Sequence, residues 1–198
     1  MDQLLRLKTT RITMVAMFVA LMVGIGWALA MVPNVEFTTI LAFTAGATLG
    51  PFVGAMTAAT GIFFFSAANP MGSGLAFPVL LAAQVSSYLV IGFTGGLFSK
   101  VRRNTFTHLG WRVLLAIIGL LVTLLYDGLT SISFPLTAGA SALEIKAVLI
   151  AGLAFTTLHQ LANTVLFFTV APRLISIGRT AYRRDNSMLP AADTAETP

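Results

Sequence analysis

Apolar runs long enough to cross a bilayer recur along this 198-residue chain, and no other feature restricts its fold as strongly. About 20 apolar residues wound as a helix span roughly 30 Å of hydrocarbon. Six segments qualify as candidate spans: Ile12 to Met31, Phe37 to Leu49, Phe52 to Ala67, Phe77 to Phe98, Val113 to Phe134 and Ala147 to Val170. Hydrophobic residues make up 57% of the chain and charged residues 10%, against about a quarter charged in ordinary soluble domains. The expectation is an all-α integral membrane protein, multi-pass in the cell membrane, with residues 1–172 as one six-helix transmembrane domain. Residues 173–198, basic and then polar, read as a disordered cytoplasmic tail. The Ala28-Leu-Ala30 triplet resembles a signal-peptidase site, but the apolar run before it is longer than a signal core and more spans follow, so the first helix reads as retained.

The second and third spans are short and only Gly50-Pro51 divides them. Proline marks a helix boundary, so the pair reads as a tight hairpin rather than one long helix. The basic residues support that count. Arg6, Lys8 and Arg11 precede the first span; Lys100, Arg102, Arg103 and Arg112 separate the fourth and fifth; Arg173, Arg179, Arg183 and Arg184 follow the sixth. Six spans put all three clusters on one side, cytoplasmic by the positive-inside rule, with both termini there; five would split them. The net charge of +5 is thereby a topology signal, and nucleic acid is not a partner. The same topology puts VPNVEFTT (32–39), AANPMGSG (67–74) and residues 135–144 outside.

An ionisable group in hydrocarbon costs a few kcal/mol or more, so each is a functional candidate. Asp127 lies in the outer part of the fifth span, with Thr130 and Ser131 on its face. On the sixth span Thr156, His159 and Asn163 share a face, His159 near mid-membrane and Asn163 deeper. Gln84 lies in the outer third of the fourth span, Glu36 at the outer start of the second and Asn69 at the outer end of the third. Together they suit an outward-facing pocket for a small polar molecule, with walls from Trp27, Phe63, Phe64, Phe65, Phe77, Tyr88 and Tyr126. Two readings stay open for Gln84, His159 and Asn163, ligand contact or hydrogen bonding between helices. Asn34 and Glu36 likewise read either as ligand contacts on a proline-stiffened loop or as a cap and first-turn acid of the second helix.

Asp127 and His159 are a conceivable acid/base pair, but no GxSxG, HExxH or acidic pair at metal-ligand spacing occurs, so the chain reads as a non-enzyme without a metal. The absence of cysteine removes disulfides and thiolate chemistry. There is no Walker A sequence, so ATP-driven work requires a partner. Ala16 and Ala20, at AxxxA spacing on the first helix, allow close approach of another helix, although an alanine-rich chain produces this spacing by chance as well.

The combination resembles the substrate-binding S components of energy-coupling factor (ECF) vitamin transporters. Six spans with cytoplasmic ends, AxxxA on the first helix, VPNVEFTT in the first outer loop, the TLGPFVGA hairpin and NPMGSG before an AQV-containing fourth helix carry the likeness, over about residues 12–172. It implies an S-component-like bundle that captures a vitamin or vitamin precursor from outside. Delivery would involve a transmembrane coupling (T) subunit and two ATPases, with toppling of the S component in the membrane. It would make Ala16 and Ala20 the docking face for the T subunit, Asn34, Glu36 and Asn69 loop contacts, and Gln84, Tyr88, Asp127 and His159 pocket contacts; Asn163 lies deeper than such a site reaches. This chain itself would need no cofactor, ATP being used by the partners. Carboxylates beside amides and aromatics suit a neutral or cationic heterocycle. The competing readings are a ligand-free scaffold of the cell-shape and wall-elongation type and a solitary small-molecule transporter.

Overall fold

A computed structural model describes residues 2–32 and 36–187, and over these the chain is helical, with no strand. The helices are α1 (Asp2–Ala28), α2 (Thr38–Leu49), α3 (Pro51–Ala67), α4 (Pro78–Leu97), α5 (Leu109–Thr137), α6 (Ala142–Thr169) and α7 (Ala171–Ser187). Four of them are long and apolar enough to cross a membrane: the Thr9–Ala28 part of α1, α4, α5 and α6. Their large side chains lie bare on the outside of the bundle, Leu121 and Leu124 on α5 and Phe155, Leu158 and Leu161 on α6 among them. A soluble protein does not leave patches of that extent open. The bundle is membrane-embedded, and in lipid each helix satisfies its own backbone groups.

Every residue of α2 is buried. The sequence TTILAFTAGATL has no polar face, which in a helix means burial on all sides. With twelve residues α2 is only about 18 Å long. It is the central element, packed against α1, α3, α4 and α7. Gly50 ends it with φ +90°, open to glycine and strained for other residues, and Pro51 starts α3 at the one position where a missing N–H is harmless. The Gly50-Pro51 break therefore separates two helices, as the sequence indicates.

Glycines let α2, α3 and α4 touch backbone to backbone. A Cβ on Gly46 would overlap the Gly92 carbonyl, one on Gly54 would overlap the Cα of Gly46, and one on Gly95 would overlap the Phe43 carbonyl. The phenyl rings of Phe43 and Phe167 close the core beside them, centroids 5.3 Å apart. α1 adds Met14, Phe18 and Met22, four residues apart on one buried face. The α5–α6 connection is short, and Ser141 and Glu144 form a capping box at the start of α6. α5 and α6 are thereby antiparallel neighbours.

The end of the compact domain differs from the sequence expectation. Residues 171–187 form α7 rather than a disordered tail, while residues 188–198 lie outside those described. Ala171, Ile175 and Gly178 make a buried stripe one turn apart, and Tyr182 packs on the Met14 and Phe18 cluster. Charged residues between these positions lower the average hydropathy and hide the period. Arg179 is 7% exposed: its Nε donates to the Ala47 carbonyl (2.8 Å), Nη2 to Phe98 (2.5 Å) and Nη1 to Val101. These carbonyls end α2 and follow α4, where the helix dipoles are negative. Burial, then the like charge of Arg183, brings the guanidinium down to about 10, which leaves it charged at neutral pH. Arg112 does the same for α6, its Nε donating to the Phe168 carbonyl at 3.0 Å. Two of the arginines counted as topology signals thus also cap helix ends.

Candidate functional site

At the bundle end opposite α7, a cavity of about 420 Å³ opens between the last turn of α1, the start of α2, and α3, α5 and α6. Its polar wall comes from three places far apart in sequence. Asp127 is on α5, His159 on α6 and Glu36 just before α2. The antiparallel register of α5 and α6 puts His159 Nδ1 2.8 Å from Asp127 Oδ1, and the ring then presents Nε2 to Glu36 Oε1 at 3.3 Å. A neutral imidazole has one N–H, so both contacts are hydrogen bonds only if the ring is doubly protonated or one carboxyl carries the proton. The three groups carry a net charge of −1 in either case.

A second layer holds this chain in place. Thr39 Oγ1 donates to Glu36 Oε1 (2.5 Å). The hydroxyls of Thr38 and Thr39 share hydrogen bonds with Tyr88 Oη at 2.7 and 3.3 Å. Ser66 Oγ donates to Gln84 Oε1 (2.8 Å), and Gln84 Nε2 donates to Tyr126 Oη (3.4 Å). The Tyr126 ring stands edge-on to the His159 imidazole, centroids 6.2 Å apart. The network joins α2, α3, α4, α5 and α6, so the site's shape depends on the packing of the whole bundle.

Of the residues singled out from the sequence, Glu36, Asp127 and His159 meet at the cavity. Gln84 and Tyr88 stand behind its wall as supports, because Tyr126 and Thr38 are in front of α4. Asn69 is away from the cavity; its Oδ1 accepts the N–H of Met71 and closes a turn. Asn34 lies outside the described residues. Asn163 is fully buried one turn below His159, and neither end of its amide has a hydrogen-bond partner. The Thr123 hydroxyl, one turn below Asp127, is also unpartnered, as is the Asp127 carboxylate oxygen Oδ2. Among the expected aromatic walls, Phe65 and Tyr126 line the cavity. Phe63 and Phe64 are exposed, Trp27 Nε1 donates to the Phe65 carbonyl (3.2 Å), and Phe77 packs on Phe134 in a separate apolar groove.

The sequence reading named neither the Thr38 and Thr39 hydroxyls nor Phe155. Two adjacent threonines two and three residues after a loop carboxylate were the available signal; nothing local marks Phe155. No group of three metal-ligating side chains at metal-binding spacing occurs among the described residues. The two His159 nitrogens lie 2.8 and 3.3 Å from carboxylate oxygens. Ala16 and Ala20 lie on the exposed side of α1, opposite Met14, Phe18 and Met22. Comparison with known proteins finds no matching family model, no matching curated protein and no matching solved structure.

Proposed function

We propose that this chain is the substrate-binding subunit of an ECF-type importer, receiving a small polar molecule from outside the cell. One observation carries the reading: three ionisable side chains from three separate segments converge on the wall of a cavity large enough for a small molecule. Charged groups gathered on the wall of an apolar bundle are expensive, and a polar ligand is what makes the expense useful. In this reading all six apolar segments cross the cell membrane, with the arginine-rich end cytoplasmic and the cavity facing out. The exposed Ala16 and Ala20 on α1 support docking of a coupling subunit, because small side chains at this spacing favour close helix approach. Two ATPases would supply the energy. A wall-elongation scaffold has no use for the Glu36, His159 and Asp127 chain.

Native mass spectrometry of the chain taken gently from its own membranes tests this. The expected result is a complex with a transmembrane partner and two ATPases that retains a small-molecule mass. A ligand-free chain attached to wall-synthesis proteins would overturn the proposal. A ligand-loaded chain without ATPases would replace the importer with a solitary transporter.

A further inference from the structure

We infer that the molecule taken up by this cavity is an organic cation with a single positive charge and planar N–H donors. The inference rests on reading the cavity as a binding site and assigns its charge class.

With one proton shared among them, Glu36, His159 and Asp127 carry −1, His159 Nδ1 lying 2.8 Å from Asp127 Oδ1 and Nε2 3.3 Å from Glu36 Oε1. No lysine or arginine is among the described residues lining the cavity. Arg112 and Arg179 are committed to backbone carbonyls elsewhere in the bundle. The charge therefore has no counterion within the site. Asp127 adds a second sign of incompleteness: it lines the cavity, is 8% exposed, and its Oδ2 has no hydrogen-bond partner. What the site lacks is a donor with a positive charge. The remaining walls suit the same guest, because the aromatic residues Phe65, Tyr126 and Phe155 line the cavity and a ring can attract a cation. An anion would meet like charge in a low-dielectric enclosure, and a neutral guest would leave the charge uncompensated.

Benzamidinium, benzamide and benzoate share a ring and a planar head group and differ in charge, so they isolate this property. Binding of each to the full chain in nanodiscs is measured by ligand-observed NMR and by thermal unfolding. Benzamidinium is expected to bind saturably and about tenfold or more tighter than benzamide, with benzoate not binding. Asp127→Asn should remove most of that discrimination. Glu36→Gln, which leaves the helices untouched, is the second variant should the first fail to fold. If benzoate or benzamide binds as tightly as benzamidinium, the charge assignment falls while the cavity remains a binding site. If none of the three binds at millimolar concentration, the binding-site reading falls and the charge assignment with it.

Discussion

Replacing His159 by alanine probes the carboxylate–imidazole–carboxylate chain most directly. The ring makes a 2.8 Å contact with Asp127 and a 3.3 Å contact with Glu36. Hydrogen bonds to charged groups contribute about 1.5–3 kcal/mol each, and removing one member of a buried ion pair costs about 3–5 kcal/mol because the other is left unpaired. Glu36 keeps its bond from Thr39 and its side chain is 25% exposed, so its loss is at the low end. Asp127 loses its one hydrogen-bond partner at Oδ1 and has none at Oδ2, so its loss is at the high end. The sum for His159→Ala is about 4.5 kcal/mol, 1.5 from Glu36 and 3 from Asp127, or a fall in unfolding midpoint of roughly 9–18 °C for a chain of this size. The control is the double variant. Once the imidazole is gone, Asp127→Ala removes an uncompensated buried charge, so the double variant should be no less stable than His159→Ala alone. Equilibrium unfolding in mixed micelles, followed by circular dichroism, reads both. A loss under about 1 kcal/mol, or strictly additive single losses, would refute the reasoning.

Other outcomes follow from the same structure. Arg179→Lys should destabilise the fold nearly as much as Arg179→Ala, by about 2–4 kcal/mol, because one ammonium cannot reproduce three guanidinium bonds to the Ala47, Phe98 and Val101 carbonyls; proteolysis within residues 171–187 is the readout, and full protection in the lysine variant contradicts the capping role. Gly46→Ala should cost about 3 kcal/mol or more, since the new methyl meets the backbone of Gly92 rather than a movable side chain; wild-type thermal stability would show that α2 and α4 do not approach as described. Ala20→Leu sits on the exposed side of α1, so ligand binding should persist while uptake is lost; continued uptake removes α1 as the docking face. Single cysteines at Ser73 and Ala140 should react with an impermeant maleimide from outside intact cells and one at His108 should not, and the reverse pattern would invert the proposed topology.

The helical, membrane-embedded character, the Gly50-Pro51 break and the presence of Asp127 and His159 as ionisable groups within apolar helices were legible in the sequence because each follows from local physics. Apolar runs need lipid, proline ends helices, and a charge among leucines needs a reason. Those arguments use only a residue and its neighbours. They cannot say that Asp127 and His159, 32 positions apart, are in contact, nor that Glu36 completes the chain, because that depends on the register of α5 against α6 and on the way α2 begins. Asn69, Gln84 and Tyr88 have the right chemistry for a ligand, yet Asn69 closes a local turn with the N–H of Met71, and tertiary packing sets the other two behind Tyr126 and Thr38. Arg179 shows the same limit from the other side. As sequence it is one charge in a basic stretch, and only when α7 folds back under α2 and α4 do their unpaired carbonyls give it partners. Sequence alone determined which groups are too costly to be idle, since that cost belongs to the residue and its solvent; the structure decided which of them face one another, since that belongs to packing between helices distant along the chain.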